Sequence, residues 1–370
     1  MLKSIVLLSC LVLILAFIGK YMIDFGVFRH IETKGLDKCR LIVAPDGDDL
    51  AFEDFAIDYQ KGIAYMGGDD RRWFHTFNLL NQNIKKQGKF FSFDIESETF
   101  NQLNLINYPY EHLHPLGIDL LIGRKKQLFI TNYRVDNEEI IGAVDIFEID
   151  SSNENQLIWI DSVVHPLFTV PDDVLAIDDK TFYVTNIYRH RKDKSNLMHT
   201  IEVFSKRPWS NLLLCSKTNE WQCSIVVDSI ALANGIGCSF DFKTIYVAAT
   251  AEKRIRVYER HYENNSLTYI RSLYVPFLVD NIILNEHDQI IVAGHPNALF
   301  YVLHANNRLQ HRAPSEVVIF LDPRSNSTFE NLLLTNGELL SASTVGGTYK
   351  QKLLVGGFAD PGILLCQDLM

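Results

Sequence analysis

Short runs of apolar residues recur along the chain after residue 40, and a polar residue or a glycine introduces each of them. The runs are KGIAYMGG, KQLFITNY, KTFYVTNI, KTIYVAAT, DQIIVAGH and GELLSAST, beginning at residues 61, 126, 180, 243, 288 and 337. Segments of alternating apolar and polar residues, such as GKFFSFDIES and RIRVYERH, follow most of them. Alternation with a period of two predicts β-strands, so the folded part of the chain is predicted to be all-β.

The spacing of these runs predicts the architecture. Successive runs begin 45 to 65 residues apart, which is the length of one four-stranded blade of a β-propeller. Six repeats therefore predict a six-bladed β-propeller over residues 39–370, and an irregular β-sandwich is the alternative. In a propeller the first strand of every blade lies innermost, so the first strands all begin at one end of a central channel.

A nearly uninterrupted apolar segment from Ile5 to Ile18 follows Lys3 at the start of the chain. The segment is long for the core of a cleavable signal peptide and short for a membrane span, and no clear cleavage site follows it. We therefore predict a retained signal-anchor helix over residues 1–22, with a cleaved signal as the alternative. A linker over residues 23–38 would join this helix to the propeller.

Cysteines and glycosylation sequences bear on the compartment. Cys39 and Cys366 lie near the two ends of the predicted propeller, where a disulfide would close the ring, and Cys215 and Cys223 flank a short polar segment that suits a hairpin. Two acceptor sequences for glycosylation begin at Asn264 and Asn326. Unremarkable thiols are the alternative, but the combination favours an oxidising compartment and a lumenal or extracellular propeller.

The charge of the chain argues against one class of partner. The formal net charge is −10 at pH 7, and 47 % of the residues are hydrophobic. Nucleic acid requires clustered Lys and Arg, so no nucleic-acid partner is expected. The excess of acidic residues is informative about function only where several carboxylates converge at one site.

Acidic and amide residues recur where the predicted innermost strands begin, in AFEDFAID, VPDDVLAID, LANGI and LVDNII. A buried carboxylate is unfavourable unless a charge or a hydrogen bond meets it. Alone, each would more often be a capping acid, but together they predict an oxygen-only metal site at Glu53, Asp172, Asn234, Asp280 and Asn281. Oxygen donors without Cys or His favour calcium over zinc. A second calcium is predicted deeper in the channel at Asp54, Asp173 and the backbone carbonyl of Ile118.

These stretches resemble the paraoxonase family of six-bladed, calcium-binding lactonases and arylesterases. The resemblance runs from about Cys39 to Cys366 and is carried by FEDFAID, LANGI, LVDNI, GHPN and STVGGTYKQKLLVGG. It implies two calcium ions held by the residues just named, with Asp172 at a position that the enzymes usually fill with Asn. The added carboxylate should hold calcium more tightly and make it a weaker Lewis acid. His295 matches a family histidine and is otherwise a polar residue that lines the channel.

The resemblance also implies a departure that bears on catalysis. Hydrolytic members carry a histidine directly before the Gly-Ile of the second blade as general base, and a second histidine supports it; here Leu116 and Tyr133 occupy these positions. His114 would share a strand face with Leu116 and is a weak candidate replacement. The segment 67–89 does not resemble a lactone-binding lid. Its residues 69–73 are predicted to be a solvated loop, with a protein-contact surface as the alternative.

Two functions of different classes remain, and the sequence alone leaves enzymatic activity open. In the first, the chain is a membrane-anchored, non-hydrolytic, calcium-binding propeller in the endoplasmic reticulum or plasma membrane. It resembles nematode paraoxonase-like proteins that assist folding and surface assembly of degenerin-type sodium channels, so a membrane-protein client is implied by resemblance alone. In the second, it is a calcium-dependent lactonase or arylesterase with a rearranged base. The loss of both histidines favours the first.

Overall fold

The structure is a computed structural model and describes residues 2–45, 49–71, 73–74, 79, 87–324 and 328–368. Within these ranges the α-helices are α1 (Leu2–Asp24), α2 (Asn196–Ser205) and α3 (Ala298–Asn306), and short 3-10 helices cover Leu36–Lys38 and Thr250–Glu252. Ser195 caps α2 and Asn297 caps α3, since each side chain accepts a hydrogen bond from the first turn of its helix.

The remaining elements are strands, which confirms the all-β prediction for the folded part of the chain. The strands are β1 (Cys39–Ile42), β2 (Ala51–Asp58), β3 (Ile63–Asp69), β4 (Lys89–Asp94), β5 (Thr99–Ile106), β6 (His114–Ile122), β7 (Lys126–Asp136), β8 (Glu139–Ile149), β9 (Gln156–Val163), β10 (Pro171–Asp178), β11 (Thr181–Asn186), β12 (Ser210–Lys217), β13 (Trp221–Ile230), β14 (Ala233–Cys238), β15 (Thr244–Ala249), β16 (Arg254–Arg260), β17 (Leu267–Tyr274), β18 (Leu278–Leu284), β19 (Ile290–His295), β20 (Ser315–Phe320), β21 (Glu330–Thr335), β22 (Ser343–Tyr349), β23 (Lys352–Gly357) and β24 (Ile363–Gln367).

The strands form a propeller-like arrangement of antiparallel sheets. Four separate sheets have four strands each, in the orders β10-β11-β12-β13, β14-β15-β16-β17, β18-β19-β20-β21 and β1-β24-β23-β22. The fifth sheet has eight strands in the order β2-β3-β4-β5-β9-β8-β7-β6. The prediction of six separate blades is therefore wrong in its count, although the propeller-like class is confirmed.

The eight-stranded sheet arises because two antiparallel groups of four strands join at their outer edges. Asn104–Ile106 of β5 pair in parallel with Gln156–Ile158 of β9. At the other end of the sheet β2 and β6 lie next to each other, where the Ile118 amide donates to Asp54 Oδ2 at 2.8 Å. The sheet is consequently almost closed on itself.

Six strands, one from each group of four, surround the centre of the molecule, namely β2, β6, β10, β14, β18 and β22. Every residue of β2 is buried, and most residues of the other five are buried as well. Apolar side chains fill the spaces between sheets; Phe52 of β2, for example, packs edge-on against Phe91 of β4 with ring centroids 5.6 Å apart. The polar residues of these inner strands are thereby held in a largely apolar setting.

The two ends of the ring meet in one sheet. Strand β1 pairs with β24 in a register that places Cys39 opposite Cys366, and a disulfide joins them. A second disulfide, Cys215–Cys223, links β12 to β13. Both predicted disulfides are therefore present, and Cys238 is a free cysteine.

Helix α1 covers the predicted anchor, and the chain that follows it lies against the sheets. The Tyr21 hydroxyl donates to the Phe204 carbonyl at the end of α2, and Arg29 pairs with Glu316 of β20 at 2.6 Å. Among the helices of the described residues, none combines the length and hydropathy needed to cross a bilayer. The retained signal anchor stays a prediction.

Candidate functional site

Each of the six inner strands carries a β-bulge close to its first residue. The register with the next strand shifts across Glu53–Asp54, Leu116–Gly117, Asp172–Asp173, Asn234–Gly235, Asp280–Asn281 and Thr344. A bulge leaves residues outside the regular ladder and re-aims their side chains. The predicted ligand side chains all fall in these bulges, and Ile118 follows one directly.

Glycine allows the bulged backbones to approach each other closely. A Cβ atom at Gly117 would lie 2.6 Å from the Asp172 carbonyl oxygen, and one at Gly235 would lie 2.5 Å from the Asn281 Cα atom. A side chain at either position would push neighbouring inner strands apart. The Gly-Ile dipeptides of β6 and β14 therefore set the width of the channel at the level of the acids.

Hydrogen bonds hold three of the five predicted ligands of the first group, Glu53, Asp280 and Asn281. Asn281 Nδ2 donates to Glu53 Oε1 at 2.9 Å, and His295 Nε2 lies 2.8 Å from Asp280 Oδ2. His295 also stacks on Tyr301 with ring centroids 3.9 Å apart. The structure thus brings residues of β2, β18 and β19 together, and His295 contacts a predicted ligand.

The second group of predicted ligands lies between β2, β6, β10 and β14. Asp54 Oδ2 accepts from the Ile118 amide, and Asp173 Oδ2 accepts from the Ile236 amide, each at 2.8 Å. These amides belong to the residues just after the bulges. Asp54 and Asp173 therefore bridge neighbouring inner strands, as the predicted deeper site requires.

The buried carboxylates perturb each other strongly. Burial and repulsion from Asp280 raise the pKa of Glu53 to about 8. Burial raises the pKa of Asp54, Asp172 and Asp173 well above their usual range, and neighbouring carboxylates add to the effect. Several negative charges held together out of water require protons or a cation.

The donor set fits a hard divalent cation. Glu53 Oε2 and Asn234 Oδ1 are buried and have no hydrogen-bond partner among the described residues. All of the predicted side-chain ligands offer oxygen, which suits calcium. Within the described ranges, however, no three His, Cys, Asp or Glu side chains converge closely enough to hold a metal by themselves. Amide and backbone oxygens would therefore have to complete the coordination.

Leu116 and Tyr133 occupy the two positions where the resemblance implies a histidine. Both side chains are buried and neither carries an imidazole. Leu116 is 3 % exposed, and Tyr133 donates its hydroxyl to the Pro171 carbonyl at 2.7 Å. The Tyr133 ring lies 5.0 Å from that of Trp73, and an apolar cluster including Leu116 and Phe358 surrounds them. Leu116 and Tyr133 therefore contribute apolar surface to this cluster.

A buried histidine–carboxylate pair lies beside this cluster. His114 is fully buried, and its Nδ1 lies 3.0 Å from Asp69 Oδ1. Trp73 Nε1 donates to Asp69 Oδ2 at 2.8 Å. His114 Nε2 is buried without a hydrogen-bond partner among the described residues. The pair has the arrangement of a general base that a carboxylate orients.

The prediction that residues 69–73 form a solvated loop is therefore wrong where the structure describes them. Asp69 and Trp73 are fully buried, and Arg71 is 2 % exposed. Sequence reasoning missed Asp69 and Arg71 because charged residues in a polar stretch are usually solvated. The available signal was their position at the end of the apolar run KGIAYMGG, next to a tryptophan.

One of the two predicted glycosylation positions can be located in the structure. Asn264 is exposed in the turn between β16 and β17. Asn326 lies outside the described residues. Glycosylation at both positions stays a prediction.

Fold and site together define an all-β, propeller-like protein with buried carboxylates and amides at its centre and a buried histidine that a carboxylate orients. We call this central cluster the cup; it consists of Glu53, Asp54, Asp172, Asp173, Asn234, Asp280 and Asn281. The sequence profile of the Arylesterase family matches residues 76–367, which is most of the chain. The chain therefore belongs to this family, that of the paraoxonases.

Individual relatives agree with this assignment. Serum paraoxonase/lactonase 3 of Rattus norvegicus is 26 % identical over 352 residues, covering 92 % of this chain and 93 % of that protein. Serum paraoxonase/arylesterase 2 of Canis lupus familiaris is 26 % identical over 336 residues, covering 89 % and 88 %. A gluconolactonase from Xanthomonas campestris is similar in structure, with a TM-score of 0.52 at 12 % identity, covering 91 % of this chain and 93 % of that one. The last comparison supports the fold.

Proposed function

We propose that the chain is a calcium-dependent hydrolase of carboxylic esters or lactones in which His114 serves as the general base. Membership of the arylesterase family supports this class of reaction. The observation that carries the proposal is the buried pair of His114 and Asp69, in which His114 begins β6 just before the bulge of that strand. This pair reverses the preference for a non-hydrolytic protein, which rested on Leu116 and Tyr133.

Glu53, Asp172, Asn234, Asp280 and Asn281 would hold the calcium that faces the substrate, and Asp54, Asp173 and the Ile118 carbonyl would hold the deeper one. When bound there, calcium would supply Lewis acidity to a carbonyl oxygen and would stabilise the negative charge that develops on it. The bulges support this assignment, since they direct oxygen atoms of neighbouring strands into one channel.

The proton chemistry falls to His114. Because a carboxylate only accepts hydrogen bonds, the hydrogen-bond network assigns the proton to Nδ1, which leaves the lone pair on Nε2. Nε2 would take a proton from the attacking water and return it to the leaving oxygen. Asp69 would stabilise the imidazolium in between, and Trp73 holds Asp69 in place.

The test is a hydrolysis assay on the purified full chain, using aliphatic lactones and phenyl acetate with calcium or with a chelator. We expect turnover that the chelator abolishes. His114→Gln should lower kcat/KM about 10²–10⁴-fold, which is typical of a lost general base. Asp69→Asn should lower kcat and change the pH profile, because the imidazole loses its orienting carboxylate. His287→Gln, an exposed histidine, is the matched control.

A Leu116→His, Tyr133→His double variant separates the proposal from its alternative. Turnover by this variant with none by the unaltered chain would mean that the cup is competent and the base is missing. That result would refute the role of His114 and return the chain to the non-hydrolytic class. Full activity of His114→Gln would equally refute the role of His114.

The membrane-anchored, client-assisting function remains a prediction from resemblance. The candidate client is a degenerin-type channel, and the candidate location is the endoplasmic reticulum or plasma membrane. The non-hydrolytic outcome of the assay would make this the leading function. Co-purification of the full chain with a co-expressed degenerin-type channel would then be the next measurement.

A further inference from the structure

The inner strands carry more negative charge than two divalent cations neutralise. Five buried carboxylates occur in the bulges, at Glu53, Asp54, Asp172, Asp173 and Asp280. The two calcium ions of the proposed function would supply four positive charges. One carboxylate of the cup is therefore left without a metal charge to match it, and a buried unmatched charge is strongly unfavourable.

A buried arginine contacts the start of β6. Arg71 is 2 % exposed and donates a hydrogen bond from Nη1 to the Pro115 carbonyl. Pro115 directly precedes the bulge at Leu116–Gly117, and Gly117 packs on Asp172 and Asp173. This chain of contacts connects the guanidinium, through the start of β6, to the bulge of β10 that contains Asp172.

The charge of Arg71 is directed at the cup as well as at its near neighbour. Its Nη1 lies 3.7 Å from Asp69 Oδ2, but Asp69 already accepts hydrogen bonds from Trp73 and His114. Arg71 Nε and Nη2 have no hydrogen-bond partner among the described residues. The guanidinium also acts electrostatically on both Glu53 and Asp172.

We propose that Arg71 is the built-in counter-charge of the metal cup, and that it offsets Asp172 and thereby lowers the affinity of the cup for calcium. Asp172 alone would raise that affinity and weaken the ion as a Lewis acid. Because the positive charge of Arg71 offsets the negative charge of Asp172, the cup has a third carboxylate ligand without an additional net negative charge. This inference rests on the calcium site of the proposed function, and it makes Arg71 a residue that sets metal affinity.

Calcium titration of the metal-free full chain by calorimetry tests this without an activity assay. Arg71→Gln should tighten calcium binding about 10-fold or more, because a repelling charge is removed from a buried site. Asp172→Asn should weaken it by a similar factor. The double variant should return to within about 3-fold of the unaltered chain, because the two changes in charge cancel.

Two control variants test whether the effect comes from the charge of Arg71. Arg71→Lys keeps the charge and should bind calcium within a few-fold of the unaltered chain, even though it loses the guanidinium geometry. Arg254→Gln removes an exposed arginine of β16 and should change nothing. Unchanged or weaker calcium binding by a folded Arg71→Gln would overturn the proposal. Failure of the unaltered chain to bind calcium would instead refute the metal site, and with it the proposed function.

Discussion

The free energy of unfolding of the metal-free protein should fall as the pH rises from about 4.5 to about 8. Burial and Asp280 raise the pKa of Glu53 to about 8 in the folded chain, whereas an unfolded glutamate titrates near 4.3. Between these values the folded state holds a proton that the unfolded state has lost, so stability decreases with pH. The slope is about 1.4 kcal/mol per pH unit for each such carboxyl, and Glu53 alone accounts for a total on the order of 5 kcal/mol.

Calcium should remove most of this slope, because the cation replaces the protons that the acids otherwise require. The measurement is urea unfolding at pH 5, 6, 7 and 8, with metal-free protein and with excess calcium. Glu53→Gln should flatten the metal-free curve in part, while Glu139→Gln, at the exposed first position of β8, should not. Metal-free stability that is constant or rises from pH 5 to pH 8 would refute the reasoning.

Further predictions concern the channel and the disulfides. Gly235→Ala should lower the free energy of unfolding by about 1–3 kcal/mol, because its Cβ would lie 2.5 Å from the backbone of β18. It should also reduce the rise in Tm that calcium produces. Gly123→Ala is the control, since the nearest atom to its Cβ would be 3.6 Å away. Replacing Cys39 and Cys366 by Ser should lower stability by about 5 kcal/mol in the chain-entropy account, against about 2–3 kcal/mol for Cys215 and Cys223, because the first disulfide closes a far longer loop. Equal losses from both pairs would contradict that account.

The strands and the acids of the cup could be predicted from the sequence because both are local patterns. The run that contains Asp280 and Asn281 is apolar on both sides, so their burial was evident before the structure. The parallel pairing of Asn104–Ile106 with Gln156–Ile158 could not be predicted, because it joins the outer edges of two groups and no local pattern specifies it. That pairing is what merges two expected blades into one sheet.

Only one member of the histidine–carboxylate pair could be predicted from the sequence. His114 was a candidate because it lies two residues before Leu116, but its partner lies on a different strand. Asp69 ends β3, and the contact forms because the two end strands of the sheet, β2 and β6, lie next to each other and bring β3 close to β6. Tertiary packing overrides the usual solvation of charged residues here, as it does for Arg71.

The pairing of β1 with β24 has a consequence for synthesis on the ribosome. The two cysteines that it joins are 327 residues apart, so at about 5–20 residues per second the first waits for the second for on the order of a minute or less. During that interval the cysteines of β12 and β13 have already emerged, and Cys39 can react with either of them. The sheet that contains β1 cannot be completed before β24 has been synthesised, so early closure of the Cys215–Cys223 disulfide within its hairpin would protect Cys39 from mispairing.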